Sequence, residues 1–71
     1  LTDDVYNRLN EYRKQLELFS LNAGAMNDST IRDIDKIYRE YNPVSPIDMG
    51  CGACQVSRMK EVYVHLLTNS R

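Results

Sequence analysis

Cys51 and Cys54, with Gly52 and Ala53 between them, are the residues of this chain best suited to chemistry. A thiol at a helix start has its thiolate stabilised by the helix dipole, which lowers its pKa and raises its reactivity. A redox dithiol of that kind belongs to a sheet-containing βαβ context, and nothing in this sequence reads as a sheet. Zinc instead needs four ligands in a tetrahedron. The single histidine, His65, follows Cys54 by eleven residues, roughly 16 Å along a helix, and Asp48 would raise the set only to three. A zinc site at Cys51 and Cys54 therefore implies further ligands from another chain, by pooling two copies or through a partner. The default reading is packing: free Cys is among the most buried residue types, and Gly52 and Ala53 permit close approach of a neighbouring helix. On that reading one or both thiols point into the junction before the last helix. A Cys51–Cys54 disulfide is compatible with an oxidising compartment, although so short a ring constrains the unfolded chain little.

No other constellation suggests catalysis. His65 reads as a surface or boundary residue, with no acid or nucleophile placed by spacing to work with it. Tyr12, Tyr38 and Tyr41 fall on apolar helical stripes, where core packing with an outward hydroxyl is commoner than base stacking. Phosphate-cradling glycine loops and paired catalytic carboxylates are absent from the sequence. No catalytic residue, cofactor or small-molecule substrate is assigned.

Three helical segments must position the cysteines. Val5, Leu9, Tyr12, Leu16 and Phe19 recur at gaps of four, three, four and three, the stripe of one helical face. Thr2 is placed as N-cap with Asp3 and Asp4 in the first turn, Leu1 and Tyr6 form a hydrophobic staple, and Gly24 supplies the stop. The spacing predicts a helix over about 3–21, its stripe continuing to Ala23 and Met26. After a connector at 22–28, any of Asn27, Asp28, Ser29 and Thr30 can cap a second helix over about 29–41. Its stripe is Ile31, Ile34, Tyr38 and Tyr41, broadened by Ile37. Asp35 and Arg39 make an i,i+4 pair on the opposite face, and Asn42-Pro43 ends the segment. Residues 43–50 form a stiff connector in which Ser45-Pro46 resembles the start of a single helical turn, with Asp48 reaching back to cap it. The third helix, about 51–68, presents Cys54, Met59, Val62, Tyr63, Leu66 and Leu67. Val62-Tyr63-Val64 is strand-like by propensity, but a lone strand would leave its backbone unsatisfied.

The fold class is thus all-α: three amphipathic helices in one domain spanning residues 1–71, as a small bundle or an open helical arrangement. The candidate core is Val5, Leu9, Tyr12, Leu16, Phe19, Ile31, Ile34, Tyr38, Met59, Val62 and Leu66. Seventy-one residues bury only about 60% of the surface the unfolded chain exposes, so help from a metal, a disulfide or another chain is a common solution. Nine basic and ten acidic residues give a net charge of -1, evenly spread apart from a slight basic excess over 43–71 that includes Arg71. That balance argues against nucleic acid as partner. A helix-turn-helix DNA binder is a third reading, weakened because the last helix offers just Arg58 and Lys60 near its middle. No apolar run approaches the ~20 residues of a membrane span. The acidic opening Leu1-Thr2-Asp3-Asp4 is unlike a signal or transit peptide, and a start at Leu1 fits either a missing start residue or a processed piece.

The stretch Ile34-Asp35-Lys36-Ile37-Tyr38-Arg39-Glu40-Tyr41-Asn42-Pro43, then Cys51-Gly52-Ala53-Cys54 and an amphipathic helix, resembles short proteins encoded by tailed bacteriophages, especially those of Bacteroidetes hosts. The resemblance covers roughly residues 31–67. It implies a virion-associated or host-interaction protein, in the host cytoplasm or within a virion, and carries over no catalytic residues. The preferred function is accordingly a non-enzymatic structural or interaction module that docks amphipathic helices into a larger assembly, as a homo-oligomer or on a protein partner. Leu16, Phe19, Met26, Tyr63 and Leu67 are its candidate interaction residues. The alternative is a zinc-binding or thiol-redox module centred on Cys51 and Cys54.

Overall fold

The computed structural model describes residues 2–22 and 24–69; the parts assigned above to Leu1, Ala23 and Arg71 lie outside them. The described residues form four helices and no strand: α1 (Asp3–Asn10), α2 (Arg13–Ser20), α3 (Asp28–Tyr41) and α4 (Gly52–Thr68). Residues 62–64 lie inside α4, where their backbone groups are satisfied by the helix itself.

The single N-terminal helix expected from the apolar stripe is two. α1 begins as the sequence predicts, with the Thr2 hydroxyl accepting the Val5 N–H at 3.3 Å. At Glu11-Tyr12 the chain tightens: the Tyr12 N–H donates to the Leu9 carbonyl at 2.9 Å, and Tyr12 takes φ −100° and ψ 6°. The Tyr12 carbonyl then accepts the Leu16 N–H at 2.9 Å and starts α2. No proline or glycine marks this break. Its cause is tertiary packing, because the change of direction lets α1 lie chiefly on α3 while α2 lies chiefly on α4. One straight helix would carry both stripes past a single neighbour.

α2 also ends differently from expectation. Asn22, at φ 56°, makes the left-handed turn that asparagine tolerates, so the stripe does not run on toward Met26. Gly24 serves space rather than the helix stop: a Cβ there would sit 3.0 Å from the Leu18 Cβ. Asn27 then caps α3, its side-chain oxygen accepting the Thr30 N–H at 2.8 Å.

α3 and α4 run parallel. Asp35 meets Arg58 and Tyr38 meets Glu61, each pair 23 residues apart, and one turn further Tyr41 faces His65. A step along one helix is matched by a step in the same direction along the other. The connector must therefore travel back the length of α3, about 18 Å for twelve residues of helix rise. Extended chain covers that at roughly 3.3 Å per residue, whereas a helical turn shortens it. Residues 43–48 accordingly hold no helical turn, which corrects the expectation at Ser45-Pro46. Asp48 caps a turn instead, its carboxylate accepting the Gly50 N–H at 2.9 Å and its carbonyl the Cys51 N–H at 3.0 Å.

The core comprises Val5, Leu9, Leu16, Ile31, Ile34, Ile37, Tyr38, Met59, Val62 and Leu66. Tyr12 and Phe19, expected inside, are half-buried at its edge, and Tyr41 is exposed. The radius of gyration, 11.1 Å, equals the ~11 Å of a compact domain of this length, so the arrangement is a closed bundle and not an open arm. On the surface, Arg8 forks onto Glu40 with both contacts at 2.9 Å. This ties α1 to α3 and, through the guanidinium hydrogen bonds, holds the Glu40 carboxyl below its ordinary pKa. Exposed pairs of this kind contribute little stability.

Leu16 lies fully buried on the helix that the break turns toward α4. Leu16→Ala should lower unfolding free energy by about 2–5 kcal/mol. Urea titration followed by circular dichroism measures it, and a loss under about 1 kcal/mol would contradict the packing described.

Candidate functional site

The start of α4 brings the two cysteines together. Cys51 is the N-cap, with φ −115° and ψ 105°, and its sulfur accepts the Cys54 N–H at 3.1 Å. The Gln55 side chain donates to the Met49 carbonyl at 2.8 Å, fastening the turn to the first helical residues. The Cα atoms of Cys51 and Cys54 are 5.2 Å apart and the sulfurs are bonded as a disulfide. The bond departs from the packing expectation of two free thiols. A spacing of three across an N-cap brings the Cα atoms within bridging range, and Cys54 is exposed while Cys51 is half-buried. Sulfurs joined in this way have no thiolate to offer a metal. Among the described residues no group of three or more His, Cys, Asp or Glu side chains is placed to hold an ion.

A second polar constellation lies along the α3–α4 seam. Asp35, expected on the outward face, is 4% exposed. Its carboxylate is held by two guanidiniums: Arg58 donates to one oxygen at 2.5 Å, and Arg39 to the other at 2.9 Å. Arg58 also donates to the Ser45 carbonyl at 2.7 Å, tying in the connector. One turn on, the Tyr38 hydroxyl donates to the Glu61 carboxylate and accepts from the Asn42 amide at 3.0 Å. Burial, then the bond to Glu61, pushes the Tyr38 phenol up to about 12. His65 packs its ring 5.5 Å from that of Tyr38 and 5.8 Å from that of Tyr41, a boundary position far from the cysteines along α4. The Asp35–Arg39 spacing was legible. Arg58 as second partner was not, because the pairing exists only once α4 lies parallel to α3.

Chemically this seam is saturated: Asp35 has both oxygens occupied, and the Tyr38 phenol is held protonated. Beside it, α3 and the connector border an open groove of about 330 Å³, with basic and acidic side chains (Arg32, Asp33, Asp35, Lys36 and Arg39) from α3 and Pro46, Ile47 and Met49 from the connector. A shallower recess lies over Cys54, bordered by Ala53, Ser57, Arg58 and Glu61.

The five candidate interaction residues do not form one surface. Leu16 is fully buried. Phe19, Met26 and Tyr63 are half-buried and pack onto the core, which leaves Leu67 as the exposed member at 46%. The more exposed apolar side chains are Leu21 at 68% and Val64 at 55%. Val64 follows Lys60 by four residues, on the polar side of α4 by pattern, so periodicity gave no reason to single it out. No helix of the described residues is long and apolar enough to cross a membrane. Comparison with protein-family models, curated proteins and solved structures returns no match for this chain.

Two measurements probe the seam. Asp35→Ala strands the half-enclosed Arg58 and should cost about 3–5 kcal/mol, the penalty for breaking a buried pair from one side. Tyr38 gives a pH signature. Its folded pKa of about 12 exceeds the ordinary 10, so its contribution is complete below pH 10 and is lost as pH rises toward 12. Across that window wild type should lose stability more steeply than Tyr38→Phe. Parallel curves would show that this phenol is not the group responsible.

Proposed function

We propose that this chain is a non-enzymatic interaction module that docks onto a protein partner through the outer face of the C-terminal half of α4. The observation that carries the reading is the exposure of Val64 and Leu67, 55% and 46%. Three residues apart on α4, they stand side by side on the helix surface. Leu18 and Leu21 repeat the pattern at the end of α2, with exposures of 36% and 68%. Single exposed apolar residues are ordinary, whereas contiguous exposed apolar surface marks contact sites. The saturated seam supports the same conclusion, since its carboxylate and phenol are committed to holding helices together. The resemblance of residues 31–67 to small tailed-phage proteins supports an assembly of virion or host-interaction type as the setting.

Replacing Val64 and Leu67 together by glutamate tests this. Both side chains are substantially exposed, so the folded chain should lose no more than about 0.5 kcal/mol per site. The double variant should nevertheless drop out of the assembly in which the native chain is retained, read as the amount co-purifying from cells that normally make it. An unchanged yield, with unchanged stability, would end the proposal. Asn7, exposed on α1 and outside this surface, is the control position: Asn7→Glu should leave retention intact.

A further inference from the structure

We propose that Cys51 and Cys54 form a thiol–disulfide exchange site, independent of the docking surface, in which Cys54 is the sulfur attacked and Cys51 the one released. Four observations converge on the pair. Cys54 is exposed and Cys51 half-buried, so an incoming thiol reaches Cys54 more readily. The surface above is open: a Cβ added at Gly52 would meet nothing within 4 Å, and a shallow recess bordered by Ala53 and Ser57 lies beside Cys54. The Cys51 sulfur already accepts the Cys54 N–H at 3.1 Å, at the N-terminus of a helix of 17 residues. That hydrogen bond and the positive end of the helix stabilise a thiolate when it forms. Finally, neither cysteine belongs to the buried core, and a ring closed over three residues contributes little loop entropy. The bond can therefore open without unpacking the bundle.

The co-reactant is a dithiol, of a protein or a small molecule. One of its thiolates attacks the Cys54 sulfur; a new bond joins the two, the Cys51–Cys54 bond breaks, and its electron pair leaves with Cys51 as thiolate. The second thiol of the reductant, deprotonated, attacks its own sulfur in the mixed disulfide and closes the oxidised ring. Cys54 departs as thiolate, and both cysteine thiolates take up the protons the dithiol gave to water. Two electrons and two protons pass from dithiol to protein, and the reverse sequence re-forms the Cys51–Cys54 bond while the co-reactant's disulfide is reduced to a dithiol. A leaving group of lower pKa departs faster, which is the service the N-cap position gives Cys51. A thioredoxin-like sheet takes no part in these steps; they need an accessible sulfur, a stabilised leaving group and a scaffold that survives the opening.

The test uses the full chain in its oxidised form. Dithiothreitol is added, samples are quenched with iodoacetamide, and mass spectrometry reads the reduced fraction while circular dichroism follows the helices. The wild-type disulfide should open at least tenfold faster in the folded chain than in the same chain unfolded in urea, with the helical signal kept. A monothiol then assigns the sulfurs. When oxidised wild type is opened with reduced glutathione and quenched with iodoacetamide, peptide mapping should find the glutathione on Cys54 and the alkyl label on Cys51, in at least tenfold excess over the reverse. Equal rates in folded and unfolded wild type, or loss of helix on reduction, overturn the proposal. Glutathione found equally on the two sulfurs overturns the assignment of attacked and released sulfur.

Discussion

A buried carboxylate is the constraint on which this bundle depends. Removing a charge from water costs several kcal/mol unless it is paired and hydrogen-bonded, and a 71-residue chain has little stability to spare. Asp35 escapes that cost because Arg58 from α4 and Arg39 from its own helix occupy its two oxygens, while Arg58 also holds the Ser45 carbonyl of the connector. Three consecutive segments, α3, the connector and α4, are thus tied together through Arg58. Sliding α4 by a turn would leave Asp35 with Arg39 alone and Arg58 without its carboxylate. Apolar contacts among Ile34, Met59 and Val62 tolerate such slips far better, being non-directional. The ion pair supplies register; the apolar side chains supply most of the stabilisation.

From that register the rest of the architecture follows. Parallel helices joined in sequence force a return crossing, and the crossing requires extended chain. Pro43 and Pro46 suit it, since proline offers no N–H and fixes φ near extended values. The crossing delivers the backbone to the start of α4, where Asp48 and Gly50 turn it and Cys51 caps the helix. The position of the cysteine pair is therefore a downstream consequence of the pairing at Asp35. The N-terminal segment adapts to the same frame. With α3 and α4 side by side, a straight helix could not seat Leu9 and Leu16 equally well, and the break at Glu11-Tyr12 sets each in the core.

What was legible in the residues has a common physical character: it was local. The cap at Thr2, a cap within residues 27–30 and the apolar stripe of α3 depend on neighbours within four positions; the structure keeps the first, places the second at Asn27 and buries the stripe except for Tyr41. What escaped was set by distant chain. Asp35 looks like a solvent-facing partner of Arg39 until Arg58 is beside it. Nothing within four residues of Tyr12 breaks a helix, yet packing does. Gly24 resembles a helix stop, but the left-handed residue is Asn22, and the glycine answers the crowding of Leu18. The cysteine site divides along the same line. Its spacing and its place at a helix start were readable, whereas the exposure of Cys54 depends on how the connector approaches α4.

The seam commits its buried polar groups to holding α3 and α4 together, and the two features proposed for function both lie on α4. The cystine stands at the N-terminal end, Val64 and Leu67 near the other. Ten residues separate Cys54 from Val64, roughly 15 Å of helix rise. Ten residues of helix also turn Cys54 roughly 80° from Val64 about the axis, and thirteen turn it roughly 140° from Leu67. A partner seated on Val64 and Leu67 would therefore lie along a different face of α4 from the cystine. The two surfaces are separate, and the 17-residue helix fixes the spacing between them.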